Sequence, residues 1–568
     1  MGKRNIIIWL VVVLNLVSGK PSVAQATRID LPAESGEKIV LHCDRSIYGI
    51  SEDLYYSACY QKPLAAGDLE WSTVLYVELI QWNGTQLAQS KSPIVHGLAN
   101  GVIRIPENIK SGNYYLRAYT RWMRNYSPYG FAYLPLKVIN YKSILIDKGP
   151  ENGDVSLAAG KTGETVQTGS VLISNVLEVY GKRQLVEMEI ALPDPELEGE
   201  YSLTVAKEGE QGHARGSISY MPVDKPDSFT LDFLPETEGM TVTGKIIDQE
   251  TGAPIPGVKI NLSSYSGSFF FTSVLSEEDG SFFFVLPRYE GSHEFHLSHE
   301  SSASESYQIL VTSEFCHRTV NLPYKPFMLE ESDRNVASEI ILNAQLGDKY
   351  VVEDTSSDSR QEILKPFYGV AGSVTYEKDY IELNNLEELF FEVVHDVDVG
   401  VSKGKPTLAV NGPTSLVAYP PLVLMDNIPV ANIENLMKTG TRRIDRVEVV
   451  DHGYVLGSFK YRGIISVYSE KRDMAGMEIT GVSHFFNYQL FSKQNPTFPD
   501  HFESGNWSPV ADRRNTLYWD PALQLPAEGK VKVSFYTSDA PGEYTIQLRS
   551  LDPEGAPFVS NEVRFSVR

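Results

Sequence analysis

Cysteine is scarce: Cys43, Cys59 and Cys316 are the three in 568 residues. Three thiols exclude a disulfide-stapled scaffold. Cys43 and Cys59 fall on neighbouring strand-like segments, where a disulfide formed on export and two buried free thiols both fit. Cys316 has no evident partner and reads as a core residue. Positive charge is also in short supply, with 50 Lys and Arg against 73 Asp and Glu and a net charge of -23. Such a surface repels phosphate backbones and anionic lipid, which argues against nucleic-acid binding. Long apolar runs are missing beyond the N-terminus, so no later stretch suits a membrane span. Catalytic signatures are missing as well: no His-Glu-x-x-His helix, no Gly-x-Ser-x-Gly elbow and no phosphate loop. The expectation is a protein that is not an enzyme and needs no cofactor or metal.

The N-terminus carries the sharpest local signal. Lys3 and Arg4 precede an apolar run at 6–17, interrupted by Asn15, and Ala24-Gln25-Ala26 follows. Charge, apolar run and small-x-small site are the three parts of a secretory signal peptide, placing the leader at 1–26. Export to the periplasm or to an outer-membrane-associated position follows, with no span left after cleavage. The length of the chain is consistent with about four domains.

Strand signals recur through the rest. Val258, Ile260 and Leu262 alternate with other residues, as do Val531, Val533 and Phe535, and Tyr544, Ile546 and Leu548. Period two places each set on one face of a strand. Aromatic content of 11%, with 31 Tyr, suits half-buried sheets. Helical signals are few. Leu386, Leu389, Phe390 and Val393 form an i, i+3, i+4, i+7 stripe behind a capping box of Asn385 and Glu388. Ile433, Leu436 and Met437 make a shorter candidate that stops at Gly440. The fold class is therefore mostly β: tandem β-sandwich domains with one small α+β domain.

Four segments resemble modules of cell-envelope proteins from Bacteroidetes-type bacteria. The run from Glu37 through Asp44-Arg45-Ser46-Ile47-Tyr48, followed by Leu54-Tyr55-Tyr56-Ser57-Ala58, resembles the opening of a macroglobulin (MG2)-like sandwich. Val242-Thr243-Gly244-Lys245, Gly252-Ala253-Pro254-Ile255-Pro256-Gly257 and Asp279-Gly280-Ser281-Phe282 resemble a carboxypeptidase-regulatory-like domain, a transthyretin-like sandwich without peptidase chemistry. Pro420-Pro421-Leu422-Val423-Leu424-Met425-Asp426-Asn427, Ile444-Asp445-Arg446-Val447 and Gly463-Ile464-Ile465-Ser466 resemble the plug domain of TonB-dependent receptors. Asn427 stands where that family usually has Gly, and Asn tolerates the left-handed backbone the turn needs. Arg514-Asn515-Thr516-Leu517-Tyr518-Trp519-Asp520-Pro521 resembles the β-domain that follows such plugs. The macroglobulin resemblance invites a thioester, but no Cys here lies in that context. The plug resemblance invites a transport barrel, but the remaining residues read as a soluble sandwich.

These readings divide the chain into a signal peptide at 1–26, a macroglobulin-like sandwich at 27–140 and a second sandwich at 141–235. A carboxypeptidase-regulatory-like domain at 236–325, a linker at 326–365, a plug-like α+β domain at 366–490 and a C-terminal sandwich at 505–568 follow. The resemblances imply an envelope accessory or scaffold whose plug-like domain binds barrel or transport proteins of the outer membrane. A second candidate rests on residues alone. Arg117, Arg121 and Arg124 interleave with Tyr119, Trp122 and Tyr126, a pattern that either stacks a glycan or peptide or packs inside a sandwich. His293, His296 and His299 recur at spacing three, which scatters them over both faces of a strand rather than gathering a metal. Asp396 and Asp398 read as a solvated edge rather than a calcium site.

Overall fold

The computed structural model describes residues 36–63, 71–149, 167–169, 171–192, 195, 198–207, 232–264, 270–300, 307–349, 366–381, 383–477, 483–492, 511–551, 558–560 and 563–568. The leader expected at 1–26 lies outside them. Strands dominate, and the sheets are small and stacked in pairs, as tandem sandwiches require. No helix among the described residues is long and apolar enough to cross a membrane.

The N-terminal sandwich packs a three-stranded sheet against a five-stranded one. The first holds strands Lys38–Cys43, Asp53–Gln61 and Leu98–Arg104. The second holds Ile47–Gly49, Val74–Ile80, Gln86–Pro93, Gly112–Tyr119 and Ala132–Ile139. Leu41, Leu54, Leu75, Val77, Leu116 and Val138 fill the space between them. Cys43 and Cys59 lie on paired antiparallel strands, but Cys43 sits opposite Tyr56 and Cys59 opposite Val40. They are offset by three residues along the ladder, about 10 Å at the strand rise. A disulfide needs Cα atoms within about 7 Å, so of the two readings the disulfide is ruled out and both residues are buried thiols.

The two sandwiches expected at 141–235 and 505–568 are one. Strands Leu172–Ser174 and Leu185–Ala191 pair with Val531–Tyr536 in one sheet. Strand Gly199–Ala206 lies between Thr516–Leu525 and Gly542–Ser550 in the other. Val186, Leu203, Leu517, Phe535, Tyr544 and Ile546 share its core. The pairing is between segments more than 300 residues apart, which local periodicity does not reveal.

Between those halves sits a third sandwich, and within that an α+β unit. The third sandwich contains strands Thr241–Asp248, Ser281–Val285 and Tyr307–Val311 on one side and Lys259–Ser264, Phe271–Leu275 and Ser292–Glu300 on the other. Strand Ser483–Gln489, which the sequence placed in the plug-like domain, pairs with Ser292–Glu300 and belongs here instead. The α+β unit occupies the stretch between, around a sheet in which Leu422–Met425 runs parallel to Ile464–Ser469. Helix α2 (Leu386–Glu392) and helix α3 (Ile433–Met437) cover it, with Leu386, Leu389, Phe390, Leu436 and Met437 turned inward. Asn385 caps α2 by accepting from the Glu388 amide at 3.0 Å. The Glu388 carboxylate returns to Asn384, one residue earlier than a capping box predicts.

The linker expected at 326–365 contains helix α1 (Glu331–Lys349). Ala337 and Ile340 of α1 pack on Ile47 and Ile139 of the N-terminal sandwich, with Val336 and Ile341 at the edge of that cluster. Its acidic first turn, Glu331 and Asp333, suits a helix N-terminus. Charge and Ser density read as a linker, whereas the narrow apolar stripe makes the segment a brace.

Candidate functional site

The segment carrying Arg117, Tyr119, Arg121, Trp122, Arg124 and Tyr126 begins on strand Gly112–Tyr119 and ends in the 3-10 turn Trp122–Asn125. It does not face solvent. All of these residues are buried except Tyr126, which is half-buried. Of the two readings the sequence left open, burial favours internal packing: the segment is the joint between the N-terminal and third sandwiches. Its apolar side chains form one continuous core with Met240, Val242, Phe295, Phe315 and Tyr488.

Each charged group in the joint has a defined partner. Arg117 lies opposite Glu78 on the neighbouring strand Val74–Ile80. Its Nε donates to Glu78 Oε2 at 3.0 Å, its Nη2 to the same oxygen, and its Nη2 also to the Cys316 carbonyl at 3.0 Å. Burial disfavours its charge, but the Glu78 carboxylate outweighs that and raises its pKa. Removing one member of such a pair costs about 3–5 kcal/mol, because the other charge is left buried alone. Arg121 donates to the Thr241 and Thr243 hydroxyls. Arg124 donates to the Ser313 and Glu314 carbonyls at 3.0 Å and lies 4.0 Å from the Phe233 ring centroid. Burial lowers its pKa.

The aromatic members pack rather than wait for a ligand. Tyr119 stacks between Phe131 at 4.5 Å and Tyr76 at 5.6 Å, and its hydroxyl accepts from the Cys316 amide at 2.8 Å. Trp122 meets Trp71 edge-on at 5.1 Å and Tyr126 at 6.4 Å. Ring pairs of this geometry add about 0.5–1.5 kcal/mol beyond area burial.

Sequence reasoning missed the acids and the lysine that complete the joint. Lys91 donates to Glu314 at 2.7 Å and sits 3.7 Å above the Tyr488 ring. Glu236 accepts from the Tyr76 hydroxyl at 2.8 Å and from the Thr241 amide at 2.9 Å. Glu37 accepts from the hydroxyls of Ser72 at 2.6 Å, Tyr60 at 2.8 Å and Thr120. Burial outweighs these three donors and raises the Glu37 pKa to about 7. One signal was available: Glu78 is the single charge in the apolar run Val74–Ile80, and a charge inside a buried strand needs a partner.

A second joint links the N-terminal and composite sandwiches through Asp44-Arg45-Ser46-Ile47-Tyr48. Asp44 accepts from the Tyr48 hydroxyl at 2.7 Å, the Tyr55 amide at 3.0 Å and Thr516 at 2.5 Å. Arg45 reaches both Asp44 and Glu52. His42 Nδ1 is 2.9 Å from Ser202 Oγ, and burial pushes its pKa down to about 3. Arg549, from the C-terminal segment, donates to the Cys43 carbonyl.

The three histidines behave as strand spacing dictates. His293 stacks on Tyr289 and His299 lies by Tyr307, while His296 points to the opposite face beside Phe485. No group of three metal-ligating side chains converges among the described residues. Asp398 accepts from Asn411 at 2.7 Å on an exposed hairpin.

No family model matches the chain, and no curated protein matches it. Solved structures overlap it loosely. The native conformation of Escherichia coli alpha-2-macroglobulin is 9% identical, covering 96% of this chain and 40% of that one, with a TM-score of 0.22. Salmonella alpha-2-macroglobulin reacted with methylamine is 9% identical over 96% and 40%, with a TM-score of 0.23. Dimeric latent PorU from Porphyromonas gingivalis is 9% identical over 49% and 33%, with a TM-score of 0.15. The chain spans about two fifths of the length of these macroglobulins.

Proposed function

We propose that the protein is a non-catalytic scaffold of the cell envelope that presents its α+β unit to a partner protein. The observation that carries this reading is a set of bare apolar side chains on the α+β unit, although Ile144 and Met328 are bare elsewhere in the chain. Val370, Ile381, Phe391 and Val401 of the α+β unit are 85%, 84%, 75% and 77% exposed. Large apolar side chains left in water favour a partner that covers them. The braced sandwiches supply a rigid mount, since their joints are held by a shared core, the Lys91–Glu314 ion pair and cross-joint hydrogen bonds. Envelope location rests on the leader at 1–26, and the choice of barrel or transport proteins as partners on the plug-like resemblance of 420–468. A glycan or peptide ligand on the Arg/aromatic segment 114–133 loses its support, because the side chains of Arg117, Tyr119, Arg121, Trp122 and Arg124 are engaged within the protein.

The test is affinity capture from native envelopes with the full chain and with a Phe391→Glu, Val401→Glu variant. Barrel proteins are expected with the parent chain and are lost with the variant. Equal recovery by both, or recovery of soluble periplasmic proteins alone, overturns the reading.

A further inference from the structure

The α+β unit rests against one face of the third sandwich, and this seam differs from the joint around Arg117. Phe271 of the sandwich packs with Tyr368, Leu422, Leu424, Tyr461 and Ile464 of the α+β unit. Asn427, at the tip of the hairpin that follows Leu422–Met425, donates through Nδ2 to the Ser264 carbonyl at 3.1 Å and the Phe270 carbonyl at 2.7 Å. Lys259 lies over the Phe459 and Tyr461 rings at 5.0 and 4.9 Å. Register places Ser263 opposite both Phe271 and His296, and Asn261 opposite Ser298. Strand alternation therefore turns Lys259, Ser263, His296 and Ser298 to the seam, away from Ile260, Leu262 and Phe295 in the core.

Here the polar groups are not matched. Both ring nitrogens of His296, the hydroxyls of Ser263 and Ser298, and the Tyr461 hydroxyl are buried without a hydrogen-bond partner among the described residues. Each such group gains water on separation of the two surfaces. The Arg117 joint also buries Arg117 Nη1 and Arg124 Nε without a hydrogen bond among the described residues, but its separation would break the Lys91–Glu314 ion pair and the hydrogen bonds of Arg121 and Arg124. The seam is thus the weaker of the two contacts. We propose that it is a hinge on which the α+β unit swings from the third sandwich, and that protonation of His296 opens it.

An imidazolium at this position would be a buried cation. Among the described residues no carboxylate hydrogen-bonds to it, although Glu294 shares its face of the strand. Lys259 is the charged side chain on strand Lys259–Ser264. Strands Phe271–Leu275 and Ser483–Gln489 bring Phe271, Ser273 and Phe485 to that face. Tyr461 follows on the α+β unit through its contact with Lys259, and Glu294 lies two residues from His296 along its own strand. Burial with no offsetting charge pushes the His296 pKa down to about 4. An opened seam returns it to the ordinary 6.5. The closed state is therefore favoured above pH 6.5 and loses ground as pH falls from 6.5 towards 4.

Opening is read by the alkylation rate of a thiol placed in the seam. Ser263→Cys suits this, since its hydroxyl makes no hydrogen bond that the change would break. The rate is taken relative to the same thiol in the urea-unfolded chain at each pH, with mass-spectrometric mapping. Between pH 7 and pH 5 the relative rate should rise about twenty-fold. Cys43, Cys59 and Cys316 should stay protected, which separates hinge opening from unfolding. Adding His296→Phe should flatten the profile; should that variant not fold, His296→Gln, which cannot titrate, takes its place. A pH-independent rate with His296 present, the same rise without it, or parallel labelling of the native thiols overturns the proposal.

Discussion

Glu37 shows how burial decides what a single side chain contributes. Three hydroxyls donate to its carboxylate, yet no cation pairs with it among the described residues, and burial lifts its pKa to about 7. A carboxyl raised above its unfolded value of 4.5 adds stability below pH 4.5 that is lost as pH rises through 7. Glu37→Gln keeps the acceptor and removes the charge. Its stability relative to the parent chain should improve by about 3 kcal/mol on going from pH 5 to pH 9. Urea denaturation at both pH values checks this, and an unchanged difference would mean the carboxylate is ionised without penalty. Arg117 is the opposite case, a buried charge matched by an opposite one. The interleaved Arg and aromatic pattern was visible in the sequence, but whether it met water or Glu78 was not, because both outcomes use the same residues.

Elements with a local code were legible. Asn385 caps α2 and the Leu386, Leu389, Phe390 stripe faces inward, since cap and stripe lie within one or two turns of each other. Asn427 takes a positive φ of 70°, as the sequence predicts of this turn, and Asp426 before it one of 48°. What the sequence did not disclose is that Asn427 also clamps the third sandwich, a contact across 160 residues. Helix α1 was missed because its apolar stripe is narrow and its surroundings polar. Its burial is nonetheless complete at Ile340, which packs against Ile47 and Ile139. Ile340→Ala should therefore cost about 2–4 kcal/mol. Calorimetry decides between this and a true linker, for which the change would be silent.

At the scale of the molecule, the chain is nested: the α+β unit interrupts the third sandwich, which interrupts the composite sandwich. Closing long loops costs entropy that grows slowly with length, so such insertions are tolerated once the distant strands pair. The consequence is that the C-terminal segment completes a domain begun before residue 207. Removing 505–568 should unfold strand Gly199–Ala206, which loses both of its sheet partners, and strand Leu185–Ala191, which keeps the three-residue strand Leu172–Ser174 but loses Val531–Tyr536. Limited proteolysis should then cut within 171–207 while leaving 240–300 intact. Survival of 171–207 would show an independent domain, as the sequence boundaries implied.

Composition, periodicity and turn residues by themselves determined that the chain is mostly β, where its strands run, and that one α+β island interrupts them. These are properties of neighbours in sequence: alternation, caps and punctuating Gly, Pro and Asn act within a few residues. Tertiary structure alone decided which strands share a sheet, that Cys43 and Cys59 stand out of register, and that Arg117 to Tyr126 is a joint rather than a surface. Each of those depends on pairing between segments far apart, where many partners satisfy the same local pattern and only the packed whole selects one.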